Sequence, residues 1–126
     1  MASRTLPKRE RLCSRYLIDR LFEPGNSRSF TAYPLRAVFR CGDDTATEVT
    51  QILISVPKRQ FKHAIDRNRV KRQVREAYRN NKTLLPPDSA CSIAFIWLDS
   101  KHYPSSVVTA KVRNLLHRIN ESCAQF

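Results

Sequence analysis

Arg67-Asn68-Arg69-Val70-Lys71-Arg72, with Arg75 and Arg79 beyond, concentrates the chemistry of this chain in one short stretch. At about 100° per residue, Val70, Val74, Ala77 and Tyr78 fall on one side of a helix, while Asn68, Lys71, Arg72, Arg75 and Arg79 fall on an adjacent side. One face can dock on a core and the other can stay in water, carrying several positive charges. Such a surface suits a polyphosphate partner. Arginine binds phosphate through a planar fork that donates bidentately, and lysine acts as a mobile point charge.

The charge is clustered. Of 126 residues, 23 are Lys or Arg and 11 are acidic, a formal charge of +12. Residues 58–82 hold ten Lys/Arg against two acids, which is +8 of that +12. A second basic run extends from Arg4 to Arg20. Solvated helix faces usually mix both signs, so clustering of this kind points to nucleic acid. Charge alone leaves RNA, DNA and anionic lipid open.

Other chemistry finds little support. The acids are scattered, and His63, His102 and His117 have no ligand-like spacing, so no protein metal centre for hydrolysis is expected. His63, beside the basic stretch, reads as a nucleic-acid contact or a solvated loop residue. Cys13, Cys41, Cys91 and Cys123 form no CxxC pair. Cys91 lies in an apolar run and reads as a small buried hydrophobe, with reduced thiols in a cytoplasmic setting. The N-terminus lacks the apolar core of a signal peptide, and no apolar run of about 18 residues exists to span a membrane.

Residues 1–126 are expected to form a single domain, with 1–13 extended or mobile. Ser14 is a plausible N-cap for a short helix through Leu17, Ile18, Leu21 and Phe22, stopped by Pro24-Gly25. Phe30–Arg40 reads as a strand interrupted by Pro34, with Leu35, Ala37 and Phe39 on one face. Glu48–Val56 reads as a second strand, with Ile52, Ile54 and Val56 inward and Leu53 the apolar exception. The polar loop 41–44 makes these two strands an antiparallel hairpin. The basic helix is expected from Ile65–Arg67 to Asn80-Asn81. Ala90–Leu98, apolar on both faces, reads as a central strand, and Pro104-Ser105 opens a last amphipathic helix through Val108, Val112, Leu115, Leu116 and Ile119. The order is an α+β sheet with packed helices.

Ser55-Val56-Pro57-Lys58-Arg59, then Arg67–Arg72 and Arg75-Glu76-Ala77-Tyr78-Arg79, resemble the protein component of bacterial ribonuclease P, in order and spacing over residues 53–79. The likeness extends more weakly to Arg11–Tyr33 and to the closing strand and helix. It implies a two-layer αβββαβα sandwich with a mixed four-stranded sheet and a left-handed βαβ crossover, against the usual handedness. The fourth strand would come from subdividing residues 28–57. It implies a protein subunit that binds the catalytic RNA and the 5′ leader of precursor tRNA, assisting endonucleolytic removal of that leader. Catalysis would belong to the RNA, with divalent metal (Mg) on RNA phosphates and no cofactor bound to the protein. No obligate protein partner is inferred.

By the same resemblance, Lys58, Arg59, Arg67, Asn68, Arg69, Lys71, Arg72 and Arg75 would face the catalytic RNA. Asn68 would either contact RNA or organise the loop through backbone hydrogen bonds, and Arg67, near the apolar edge of the wheel, would be partly structural. The leader would lie against Ile18, Phe22, Phe30 and Tyr33. The family often has an aromatic where Ile18 stands, so contact there would be van der Waals rather than stacking. Core packing competes for Phe22 and Phe30; Tyr33, whose hydroxyl needs water or a polar partner, is the strongest of the four. Pro57 stands where relatives often have a small residue. A ribosomal protein fits the composition equally well but not the Arg67–Tyr78 motif. A helix-turn-helix regulator would need a short helix directly before the basic one.

Overall fold

The computed structural model describes residues 10–12, 15–23, 25, 27–41, 50–85 and 91–123. Helix α1 is Arg15–Leu21, followed by strands β1 (Arg28–Ala32), β2 (Leu35–Cys41) and β3 (Gln51–Ser55). Helix α2 (Ala64–Asn81) runs into a short 3-10 turn at Lys82–Leu84, then β4 (Cys91–Trp97) and α3 (Ser105–Cys123) complete the chain. Both Ser14 and Pro24 lie outside the described residues, as does the expected turn 42–44; Gly25, at φ +83°, takes the left-handed conformation that glycine alone adopts without strain.

The four strands form one mixed sheet in the order β1-β2-β4-β3. Strands β1 and β2 pair antiparallel, as do β2 and β4, whereas β3 runs parallel to β4. The hairpin is therefore not the expected one. Tyr33-Pro34 is a tight turn between β1 and β2, with a cis peptide bond, so the proline ends one strand and starts the next. Among the four strands β3 is paired with β4, which the chain reaches through α2. Strand β4 takes the centre because only two covered faces and two partners bury Ile93, Ala94, Phe95 and Trp97 together.

One face of the sheet carries α2 and α3. Val70, Val74, Ala77 and Tyr78 of α2 pack with Val108, Val112, Leu115, Leu116 and Ile119 of α3 over Leu35, Ala37, Phe39, Ile93 and Phe95. A fully buried side chain of this size contributes roughly 1.5–3 kcal/mol, so this face fixes the direction of α2. Across the other face lies α1, where Leu12 and Leu21 cover Val38 and Ala94, with Ile18, Leu53 and Ile96 at the margin. Leu53, the apolar exception of its strand, belongs to this second cluster.

Residues 10–12 are docked, and Arg11 and Leu12 take the extended alternative of the expectation for 1–13; residues 1–9 and 13 lie outside the described residues. Arg11 bridges Ile52 in parallel, and the Leu12 amide donates to the Ile52 carbonyl at 2.8 Å. The exposed edge of β3 thereby gains a partner, and Leu12 is buried. The Glu10 carboxylate meets Lys82 Nζ at 3.1 Å, tying this segment to the end of α2. Cys91 is buried as expected but is joined in a disulfide, so the reduced-thiol reading does not hold for it.

Candidate nucleic-acid interface

With its apolar stripe buried, α2 turns Asn68, Arg69 and Arg72 out to solvent. Lys71 and Arg75 are half-buried and lean towards β3. They line a groove of about 360 Å³ with Arg11, Leu12, Ile52, Leu53 and Ile54. The floor is apolar and the rim holds three cations, so the groove joins the basic face of α2 to the edge of the sheet. Ile65, 78% exposed, stands on the open side of the first helical turn.

The loop from Pro57 to His63 brings further cations to the start of α2. Gln60 N donates to the Pro57 carbonyl at 3.0 Å, turning the chain. Lys58, Arg59 and Lys62 are exposed, while Phe61 is buried as an anchor. Arg67 is half-buried, and its Nη1 donates to the Phe61 carbonyl at 2.8 Å and the Lys62 carbonyl at 3.0 Å. This bears out the partly structural role that its wheel position indicated. The helix-capping position is His63, exposed and without a side-chain capping bond. Asp66 sits in the first turn, where the helix dipole favours a negative charge.

The four expected leader contacts do not share one surface. Ile18 is half-buried against the α1-side cluster, and Phe22, 47% exposed, follows α1. Tyr33, 55% exposed, occupies the β1–β2 turn. Partial desolvation and its hydrogen bond to the Asp99 carboxylate raise its hydroxyl above the ordinary phenol range. Phe30 lies on the opposite face from Ile18. It pairs with Ala37, stacks on Phe39 at 5.3 Å and sits under the Arg118 guanidinium at 4.5 Å. The Tyr33-Pro34 turn resets the alternation, which places Phe30 on the α3 side as a core residue.

The α1-side face between Ile18 and the strands keeps Arg36 exposed, with Leu53, Ser55 and Ile96 half-buried. Several contributors escaped the sequence reading. Arg11 reaches the groove only because residues 10–12 pair with β3. The exposed Tyr16 lies under Arg20, whose Nη1 donates to its hydroxyl at 2.8 Å; the i,i+4 spacing of that pair was a usable signal. Gln60, Asp66 and His102 join the loop and first turn of α2 to the distant β4–α3 connection, for which no local periodicity exists. Among the described residues no group of three or more His, Cys, Asp or Glu is placed to hold a metal ion, and no helix is long and apolar enough to cross a membrane.

Comparison with known proteins agrees with this architecture. The family model described as Ribonuclease P matches residues 6–120. A protein called "Ribonuclease P protein component" from Porphyromonas gingivalis is 49% identical over 80 residues, covering 64% of this chain and 57% of that relative's length. The namesake from Chlorobium phaeobacteroides is 32% identical over 131 aligned positions, covering 94% of this chain and 90% of its own. The solved RNase P protein of Thermotoga maritima superposes with a TM-score of 0.69 at 26% identity, covering 86% of this chain and 96% of that one.

Proposed function

The chain belongs to the bacterial ribonuclease P protein family, and on that footing we propose that it is the protein subunit of the ribonucleoprotein that matures the 5′ end of tRNA. The observation that carries this reading is the joining of the family match to a solvent-facing basic α2 anchored on a fully buried apolar stripe. Its partner would be the catalytic RNA, with precursor tRNA as substrate, in the cytoplasm.

In this reading Arg69 and Arg72 contact RNA phosphates directly, with Asn68 one turn before Arg72 on the same exposed face. Lys71 and Arg75 act from the groove, and Lys58 and Arg59 extend the surface along the loop. Arg67 contributes by holding that loop through the Phe61 and Lys62 carbonyls. The cations neutralise phosphate charge where RNA strands converge, a contribution that weakens with salt. Divalent metal, of the magnesium class, would be held by RNA phosphates and would activate water for hydrolysis. The leader would cross the open α1-side face, with Ile18, Phe22 and Tyr33 as contacts; single-stranded nucleotides stack on aromatic faces with little sequence preference.

Binding to the cognate catalytic RNA tests the assignment, followed by comparison of precursor and mature tRNA on the assembled particle. Tight assembly with a preference for the precursor is expected. Tight RNA binding without that preference would move the chain to the ribosomal-type reading.

A further inference from the structure

Two segments far apart in sequence meet at the start of α2: the basic loop with the first helical turn, and the connection between β4 and α3. His102, between β4 and α3, stacks on Phe61 of the basic loop, with ring centroids 4.6 Å apart and planes 21° from parallel. Its Nε2 lies 3.0 Å from Asp66 Oδ1 in the first turn of α2. Beside it, Ser100 Oγ donates to Gln60 Oε1 at 2.9 Å. Farther along, Gln73 of α2 donates to the Tyr103 carbonyl at 2.9 Å, which fixes the β4–α3 connection from below. The basic loop is therefore gripped from two sides: by Arg67 through its backbone, and by His102 and Ser100 through its side chains.

A loop that carries Lys58, Arg59 and Lys62 would, if free, lose conformational entropy on meeting RNA. Ordering costs of that kind reduce affinity, and holding the bound shape in advance removes them. We propose that His102 is a positioning residue for RNA binding: it clamps Phe61 against Asp66, so that the loop cations reach the RNA backbone already arranged beside Arg69 and Arg72. The inference rests on the reading of the loop as part of the RNA surface. His102 itself touches no RNA in this account.

The clamp predicts coupling between residues that do not touch the same partner. Replacing His102→Ala should weaken binding of the cognate ribonuclease P RNA about threefold to tenfold, the range for one or two mobile side chains or a short loop left unordered. The paired substitution Lys58→Ala with Arg59→Ala should then cost clearly less in the His102→Ala background than in the native chain, because free cations already contribute less. Asp66→Asn breaks the same pair from α2 while leaving the imidazole on Phe61, and should show the same coupling in weaker form. Amide exchange over residues 58–63 should accelerate in both variants. Independent losses, in which the fold-changes simply multiply, would overturn the clamp, as would His102→Ala binding RNA like the native chain. If the Lys58/Arg59 pair has no effect in the native chain, the loop is not an RNA surface, and that reading fails together with the inference.

Discussion

Replacing Arg67→Ala separates two roles that the sequence motif alone fuses. The side chain is half-buried, and one guanidinium nitrogen holds two loop carbonyls, at 2.8 Å and 3.0 Å. A hydrogen bond from a charged donor contributes about 1.5–3 kcal/mol when sheltered. Of the two bonds, that to the Phe61 carbonyl is partly buried and that to Lys62 is exposed, so the low end applies and the exposed bond adds little. A loss of about 1–2 kcal/mol follows, or about 4–8 °C in the thermal midpoint of a domain this size. RNA affinity falls as well, through the loosened loop. The slope of log affinity against log salt should nevertheless stay as in the native chain, since no direct phosphate contact is removed. Thermal melting and a salt series of RNA binding read the two effects separately. A variant that melts like the native chain while its salt slope drops by about 0.7 would show Arg67 to be a direct phosphate contact and refute the loop-clamp reasoning.

The converse holds for Arg69 and Arg72: the double Ala variant should melt normally and lose about 1.4 from the salt slope, out of roughly 4 for the six cations Lys58, Arg59, Arg69, Lys71, Arg72 and Arg75. A salt-independent affinity would contradict this surface altogether. Tyr33→Ala should weaken precursor binding while sparing mature tRNA, whereas Phe30→Ala should destabilise the fold by about 2–4 kcal/mol for a partly buried ring, read as a lower melting point, and leave the preference for precursor intact. Burial and the Glu10 charge raise the Tyr78 hydroxyl, and the Asp99 carboxylate raises that of Tyr103 to about 12. Both phenols thus stay protonated in the fold after the unfolded chain ionises near 10. Their stabilisation is complete below pH 10 and is lost as pH climbs towards 12 and beyond; Tyr78→Phe should flatten that alkaline loss in a melting series.

Legibility in the sequence followed the range of the interactions. The α2 stripe Val70, Val74, Ala77 and Tyr78 is buried as its 3.6-residue period required, and the helix begins at Ala64, a residue before the expected start. The α3 stripe and the doubly apolar β4 were legible for the same reason. Pairing was not, because no local pattern records that β4 enters between β2 and β3. Pro34 was visible, yet its place in the sequence does not say whether it bends one strand or separates two; the turn it makes decides between the leader and core readings of Phe30 in favour of the core. Arg67 was flagged by its angle on the wheel. Its carbonyl partners were not, and neither was His102, 36 residues from Asp66.

The most direct test is 5′ processing of precursor tRNA at low magnesium by the cognate ribonuclease P RNA, with and without this chain. The account predicts stimulation that requires the RNA, with no cleavage by the protein alone. Cleavage by the protein without RNA, or no stimulation despite tight RNA binding, would contradict it.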